Sequence, residues 1–281
     1  TTITVSAANA AAATITINSG APANGVLDVR GFNLTTTGAV DVSGTLTFTT
    51  STAGTKQFGG LVTINSGGTW SNPIGEGFRF RGGLTVNGTA TFTSGAGGTY
   101  RFDTNNQAIG GDGLISFSAG NRIQIVSPVR VTNSNTNAAG VTVLGNITGT
   151  ALGATWRNDT KLNISGALLS VGTLDASTTA GNTVNYAGSG QTVKIPSSNT
   201  YHHLTWSGSG AMIMPGAALT INGNFSFSGT AASTATAGGA MTVMGNFTIG
   251  TNGTFTARTA VGTTGLTHAV GGDWQNDGAF V

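Results

Sequence analysis

The chain carries nine acidic residues, eleven Lys or Arg and three His in 281 positions. Hydrolysis of a glycosidic bond needs two carboxylates placed across a cleft. Asp28, Asp41, Glu76, Asp103, Asp112, Asp159, Asp175, Asp273 and Asp277 are scattered instead. No two of them form a pair that also falls in register with a basic residue and a groove-lining aromatic, so catalysis is not expected. The densest charged group is Glu76, Arg79, Arg81, Arg101 and Asp103. One reading is a site for an anionic sugar or a partner subunit. The plainer one is a surface ion-pair patch, worth less than about 1 kcal/mol per pair.

Other chemistries find less support. His202 and His203 are adjacent, and neighbours on a strand point to opposite faces, so the two are not expected to grip one ion. His268 is the third and last histidine. Gly110-Gly111-Asp112-Gly113 is a lone, weak echo of a calcium-binding repeat. With no cysteine there is no disulfide, thiolate ligand or cysteine nucleophile. Neither metal nor cofactor is expected. Asn-x-Ser/Thr triplets begin at Asn33, Asn87, Asn146, Asn158, Asn163, Asn224, Asn246 and Asn252. They are glycan acceptors in a suitable host, though a chain this rich in Asn and Thr produces many by chance. Thr47/Thr49, Thr69/Ser71 and Thr91/Thr93 would form a flat array of hydroxyls and methyls, the kind of surface that ice-binding solenoids present. Thr is also simply a good outward β-former.

These side chains are positioned by a repeat. Segments 40–58, 62–80 and 84–102 match position by position at an offset of 22. Val40, Val62 and Leu84 align, as do Val42, Ile64 and Val86, and Phe58, Phe80 and Phe102. Phe48, Trp70 and Phe92 are expected to form a further column, flanked by Thr47, Thr69 and Thr91. Gly38, Gly60 and Gly82 recur at the same spacing and should turn corners, some with φ > 0. Thr47-Phe48-Thr49 and its copies alternate polar and apolar, the period of a strand with one buried face. A fixed period with separate aromatic, aliphatic and glycine columns marks a stacked-repeat architecture. The fold expected is all-β: a parallel β-helix, or β-solenoid, of about 22 residues per coil with three short strands and three corners, wound right-handed. Arg79 should then stack on Arg101 and Arg81 on Asp103, facing solvent between the inward Phe78 and Phe80.

Composition agrees. Gly is 46 of 281, charged residues are 7% and hydrophobic residues 38%, enough for a narrow core. A net charge of +2 gives no electrostatic footprint for nucleic acid. No apolar run approaches the roughly 20 residues that span a bilayer. The start, Thr1-Thr2-Ile3-Thr4-Val5, reads as a strand rather than a leader. A mature, processed end is therefore expected there.

In chain order, strands are expected at 14–18 and 26–29, with 7–13 a loop or short helix. Regular coils occupy 38–103, and coil length should drift over 104–140. A second series fills 141–281, in which Leu219-Thr220-Ile221-Asn222-Gly223-Asn224-Phe225 returns 22 residues later as Met241-Thr242-Val243-Met244-Gly245-Asn246-Phe247. Ile221 and Val243, and Phe225 and Phe247, should ladder in the core. A looser copy begins at His268. No linker divides the chain, and one domain over 1–281 is expected.

Residues 141–281 also resemble a known type. Thr183-Val184-Asn185-Tyr186, Gly188-Ser189-Gly190-Gln191-Thr192-Val193-Lys194, Thr200-Tyr201, Ser207-Gly208-Ser209-Gly210, Pro215-Gly216 and Ile221-Asn222-Gly223-Asn224-Phe225 occur in this order. The order is similar to the repeats of large secreted surface proteins of Bacteroidetes-type bacteria. That resemblance implies an extracellular, cell-surface or matrix location and a role shared with adhesins. Two departures stand out: the pattern stops in mid-repeat at Val281, and the C-terminal sorting domain of that family is absent. Cleavage and a fragment of a longer chain would each account for them.

A solenoid has two open ends with unpaired backbone and apolar core, usually capped, and neither end shows a cap. Ile3, Val5, Phe280 and Val281 are the candidate assembly residues. Head-to-tail contact that does not close gives a filament. The function expected is thus a structural extracellular protein that assembles with copies of itself, end to end. The alternatives are an adhesin stalk or glycan-binding module, then an ice-binding protein or polysaccharide-active enzyme.

Overall fold

The computed structural model of the chain describes residues 9–20, 25–30, 32–49, 54–74, 76–92, 97–230, 232–257 and 266–281, with the backbone of 2–5. The described residues contain no helix, and so none long and apolar enough to cross a membrane. Every pairing between strands is parallel, and each strand pairs with its counterpart one coil away. The molecule is a β-solenoid with three faces.

Among the described residues the first face is one sheet of thirteen strands, from Thr2–Val5 through Thr69–Ser71 and Thr183–Tyr186 to Trp274–Asn276. The second face has seven strands, Ala10–Ala12 to Asn146–Gly149, then a break, then four more, Gly210–Ile213 to Ala279–Phe280. The third face runs in eight strands from Ile15–Ile17 to Thr173–Asp175, and in four from Thr200–Tyr201 to Ala269–Val270. The Ala-rich stretch expected as loop or helix is partly strand. Ala10–Ala12 pairs with Leu34–Thr36, because a neighbouring coil supplies the ladder that Ala alone does not favour.

Strands of three or four residues alternate buried and half-exposed side chains, as a one-sided strand must. The pairs Val42–Ile64, Ile64–Val86, Phe58–Phe80, Phe80–Phe102, Ile221–Val243 and Phe225–Phe247 all lie in register. Their side chains are buried. Phe80 and Phe102 stack with centroids 5.0 Å apart, so inward rings bury area and also gain from ring geometry.

One column is corrected. Trp70 pairs with Leu46 and Ala90, not with Phe48 and Phe92, and Thr69 pairs with Thr45 and Thr89. Trp70 lies 24 positions after Leu46 and 20 before Ala90, so the slip cancels across two coils. A shift of two residues keeps every side chain on its own face, and Phe48, Trp70 and Phe92 are all still buried. Alternation from Trp70 puts Asn72 in the next inward place, fully buried, where it bonds the Glu76 backbone and Tyr100. The hydroxyl rows become Thr45, Thr69, Thr89 and Thr47, Ser71, Thr91; Thr93 lies outside the described residues.

The glycine columns work by close approach rather than by φ. A Cβ on Gly60 would sit 2.4 Å from the Gly38 carbonyl carbon, and one on Gly82 2.3 Å from that of Gly60. Coil length does drift: Ile115 pairs with Val141, 26 positions on, where Val40 pairs with Val62, 22 on. The Gly-Asn motif also changes corner. Val141–Val143 and Asn146–Gly149 span the first-to-second corner, whereas Leu219–Ile221 and Phe225–Phe227 span the third-to-first.

Candidate functional site

On the second face Arg79 pairs with Arg101 in register, and both project outward between buried aromatics. Three guanidinium groups converge on one carboxylate. The Asp103 oxygens lie 2.9 Å from Arg81 Nε, 3.2 Å from Arg101 Nε and 3.8 Å from Arg79 Nε. The arginine side chains are 34–39% exposed, whereas Asp103 is 9% exposed. Burial pulls the Asp103 carboxyl up. Hydrogen bonds from Arg81 and Thr104 and the charges of Arg81 and Arg79 outweigh it, and hold the group below the usual range. The cluster keeps excess positive charge and guanidinium donors facing solvent, so it suits a carboxylate or sulfate better than a cation.

Glu76 does not belong to this patch. It turns inward and accepts a 2.7 Å bond from Lys56 Nζ, whose side chain is fully buried. Lys56 occupies a core position, in register with Leu34 and Phe78. Asn72 completes the network by donating to the Tyr100 hydroxyl at 2.8 Å. Burial pushes the Tyr100 hydroxyl well above its ordinary range; the Asn72 bond opposes this and the Glu76 charge adds to it. The alternation in Lys56-Gln57-Phe58 places Lys56 inward with Phe58. A hollow of about 350 Å³ beside Lys56, Glu76, Arg79 and Arg101 links the buried pair to the arginine patch.

The histidines are also placed differently. His202 follows the strand Thr200–Tyr201 at a corner, His203 opens the next strand, and the rings meet edge to face at 4.4 Å. A corner, unlike a strand, leaves neighbouring side chains on one side. His203 Nδ1 accepts the Asn224 N–H at 2.8 Å. Burial and the neighbouring His202 both lower the His203 pKa. Among the described residues no group of three or more His, Asp or Glu could hold a metal ion. Of the glycan acceptors, Asn158 is buried, and Asn146, Asn224 and Asn246 each spend the amide oxygen on an N–H of the next coil.

The break in the second face holds a hollow of about 680 Å³. It is lined by residues 165–170 on one coil and 189–195 on the next. Among the described residues no backbone hydrogen bond joins these segments. Side chains hold the gap instead. The Gln191 amide accepts the Gly188 N–H at 2.6 Å and donates to the Ile164 and Gly166 carbonyls at 3.0 and 2.7 Å. The Lys194 N–H donates to the Tyr186 hydroxyl at 2.8 Å, and the Tyr201 hydroxyl donates to the Lys194 carbonyl. Burial pushes Tyr186 up to about 12, and burial together with the neighbouring Tyr186 raises Tyr201. Leu169 beside the gap takes φ of +48°, a costly conformation for a bulky residue. No periodic signal in the sequence marks this gap.

At the last coil, Trp274 stacks on Phe247 with centroids 4.4 Å apart and Phe280 on Phe255 at 6.1 Å. Trp274 and Phe280 are each 44% exposed and Val281 70%. At the other end Thr2–Val5 pairs with Val26–Val29, and among the described residues no strand pairs with its other edge; the side chains of Ile3 and Val5 lie outside the described residues. Compared with known proteins, the chain matches no family model, no curated sequence and no solved structure.

Proposed function

We propose that the chain is a structural rod of an extracellular surface or matrix assembly, lengthened by stacking the last coil of one copy against the first coil of another. The observation that carries this reading is the last coil. Trp274 and Phe280 continue the inward aromatic ladders, yet half of each is left to solvent. Apolar ladder residues are buried only when another coil covers them. Among the described residues the outer edges of Trp274–Asn276 and Thr2–Val5 have no strand partner, and a parallel neighbour would complete them. The contact joins unlike ends, so it does not close on itself and propagates. Sparse charge, 7% of residues, fits a scaffold.

A second reading rests on the likeness of residues 141–281 to surface-protein repeats. There the covering coil belongs to the same polypeptide, the rod is a stalk, and the arginine patch is a place to bind acidic glycans.

Sedimentation velocity separates the two. The wild-type chain should form concentration-dependent species much larger than its 27.8 kDa. Trp274→Asp with Phe280→Asp should return it to monomers that still unfold like the wild type. A wild-type chain that stays monomeric at every concentration would overturn the filament and leave the stalk.

A further inference from the structure

We propose that the break in the second face is an acceptor site for one extended polypeptide segment, which enters as a strand between residues 167–170 and 190–193 and completes the sheet. Each rim is an isolated β-bridge, outside the regular strands, already paired on its far side. Leu168 bridges Ile147, and Thr192 bridges Ile213. The Ala167 carbonyl and Leu169 N–H are spent on Ile147, and the Gln191 carbonyl and Val193 N–H on Ile213. Successive residues of a strand send their main-chain groups to opposite sides. The N–H and C=O of Leu168 and of Thr192 therefore point into the opening, and among the described residues none of the four has a partner.

Two donors and two acceptors thus face one another across a hollow of about 680 Å³, within the ordinary range for a ligand site of roughly 300–1,000 Å³. A peptide backbone offers donors and acceptors along both of its edges, the complement such rims require. An oligosaccharide fits less well, since the lining holds no aromatic ring on which a sugar could stack. The gap does not zip shut, because Tyr186 and Tyr201 hold the Lys194 main chain, and Gln191 occupies the Ile164 and Gly166 carbonyls. The strained Leu169 is buried beside the opening with Leu168 and Val193. An entering strand therefore meets an apolar floor, with exposed Ser170 and Thr192 at the rims and Lys194 at one end. Small apolar side chains should point inward, polar ones outward, and an acidic residue should lie near Lys194.

The test is amide hydrogen exchange by NMR on the full chain. The probe is the capped peptide Glu-Thr-Val-Thr-Val-Thr-Glu at about 1 mM, the range in which weak strand addition is still measurable. The peptide should slow exchange of the Leu168 and Thr192 amides about tenfold or more. The same peptide N-methylated at alternate residues should not. Four results would overturn the proposal: no slowing, equal slowing by the N-methylated peptide, slowing by cellohexaose alone, or amides at both positions already as protected in the free chain as those of Val184 and Leu204.

Discussion

A lysine and a glutamate lie buried in this core. Lys56 and Glu76 are buried as a pair among Phe78, Leu34 and Tyr100 positions that are otherwise apolar or neutral. Removing one partner leaves the other charge uncompensated, which costs about 3–5 kcal/mol, whereas replacing both with apolar groups is often neutral or stabilising. Lys56→Met should therefore lower the unfolding free energy by about that much in urea, and Lys56→Leu with Glu76→Leu should restore most of it. A double variant as unstable as the single one would show that the pair does more than neutralise itself. His203 gives a pH signature. Its neutral ring accepts the Asn224 N–H, and burial and His202 lower its pKa. A group with a depressed folded pKa contributes stability above its unfolded value and loses it as pH falls. Stability should thus decline as pH drops from about 7 to 5, and His203→Asn should flatten that slope in urea midpoints.

At the scale of the element, each corner is held by backbone and side chain together. Asn224 Oδ1 accepts the Asn246 N–H, and Asn246 Oδ1 accepts the Asp273 N–H, each at 3.0 Å. This explains why Gly-Asn-aromatic recurs: glycine admits the neighbouring backbone, and the amide caps the next coil. Asn246→Ala should cost about 1 kcal/mol, with faster amide exchange at Asp273 but not at Leu204. Equal loosening at both would mean the corner is not a local cap. Strand phase and the ladders of Val42, Phe58 and Ile221 were legible in the sequence because alternation and spacing encode them directly. The slip at Trp70 was not, since a shift of two preserves alternation and only the pairing with Leu46 and Ala90 reveals it. The arginine patch was legible by register. Glu76 was not, because it lies at a bend where period no longer says which way a side chain turns. The break between residues 165–170 and 189–195 depends on hydrogen bonds from Gln191, Tyr186 and Tyr201, which no spacing rule announces.

For the whole molecule, stability is a sum of coils and of the interfaces between them, so an uncovered coil at either end is the weakest part. The same sum favours adding another coil. A further copy stacked on Trp274 and Phe280 gains an interface without disturbing the coils beneath. The first face, unbroken over thirteen strands, is the spine that would run through such an assembly. Electron microscopy of the purified chain, with a power spectrum of any fibres, tests this most directly. Uniform filaments one solenoid wide, with an axial repeat near about 4.8 Å, are the predicted result; dispersed single rods at every concentration would contradict it.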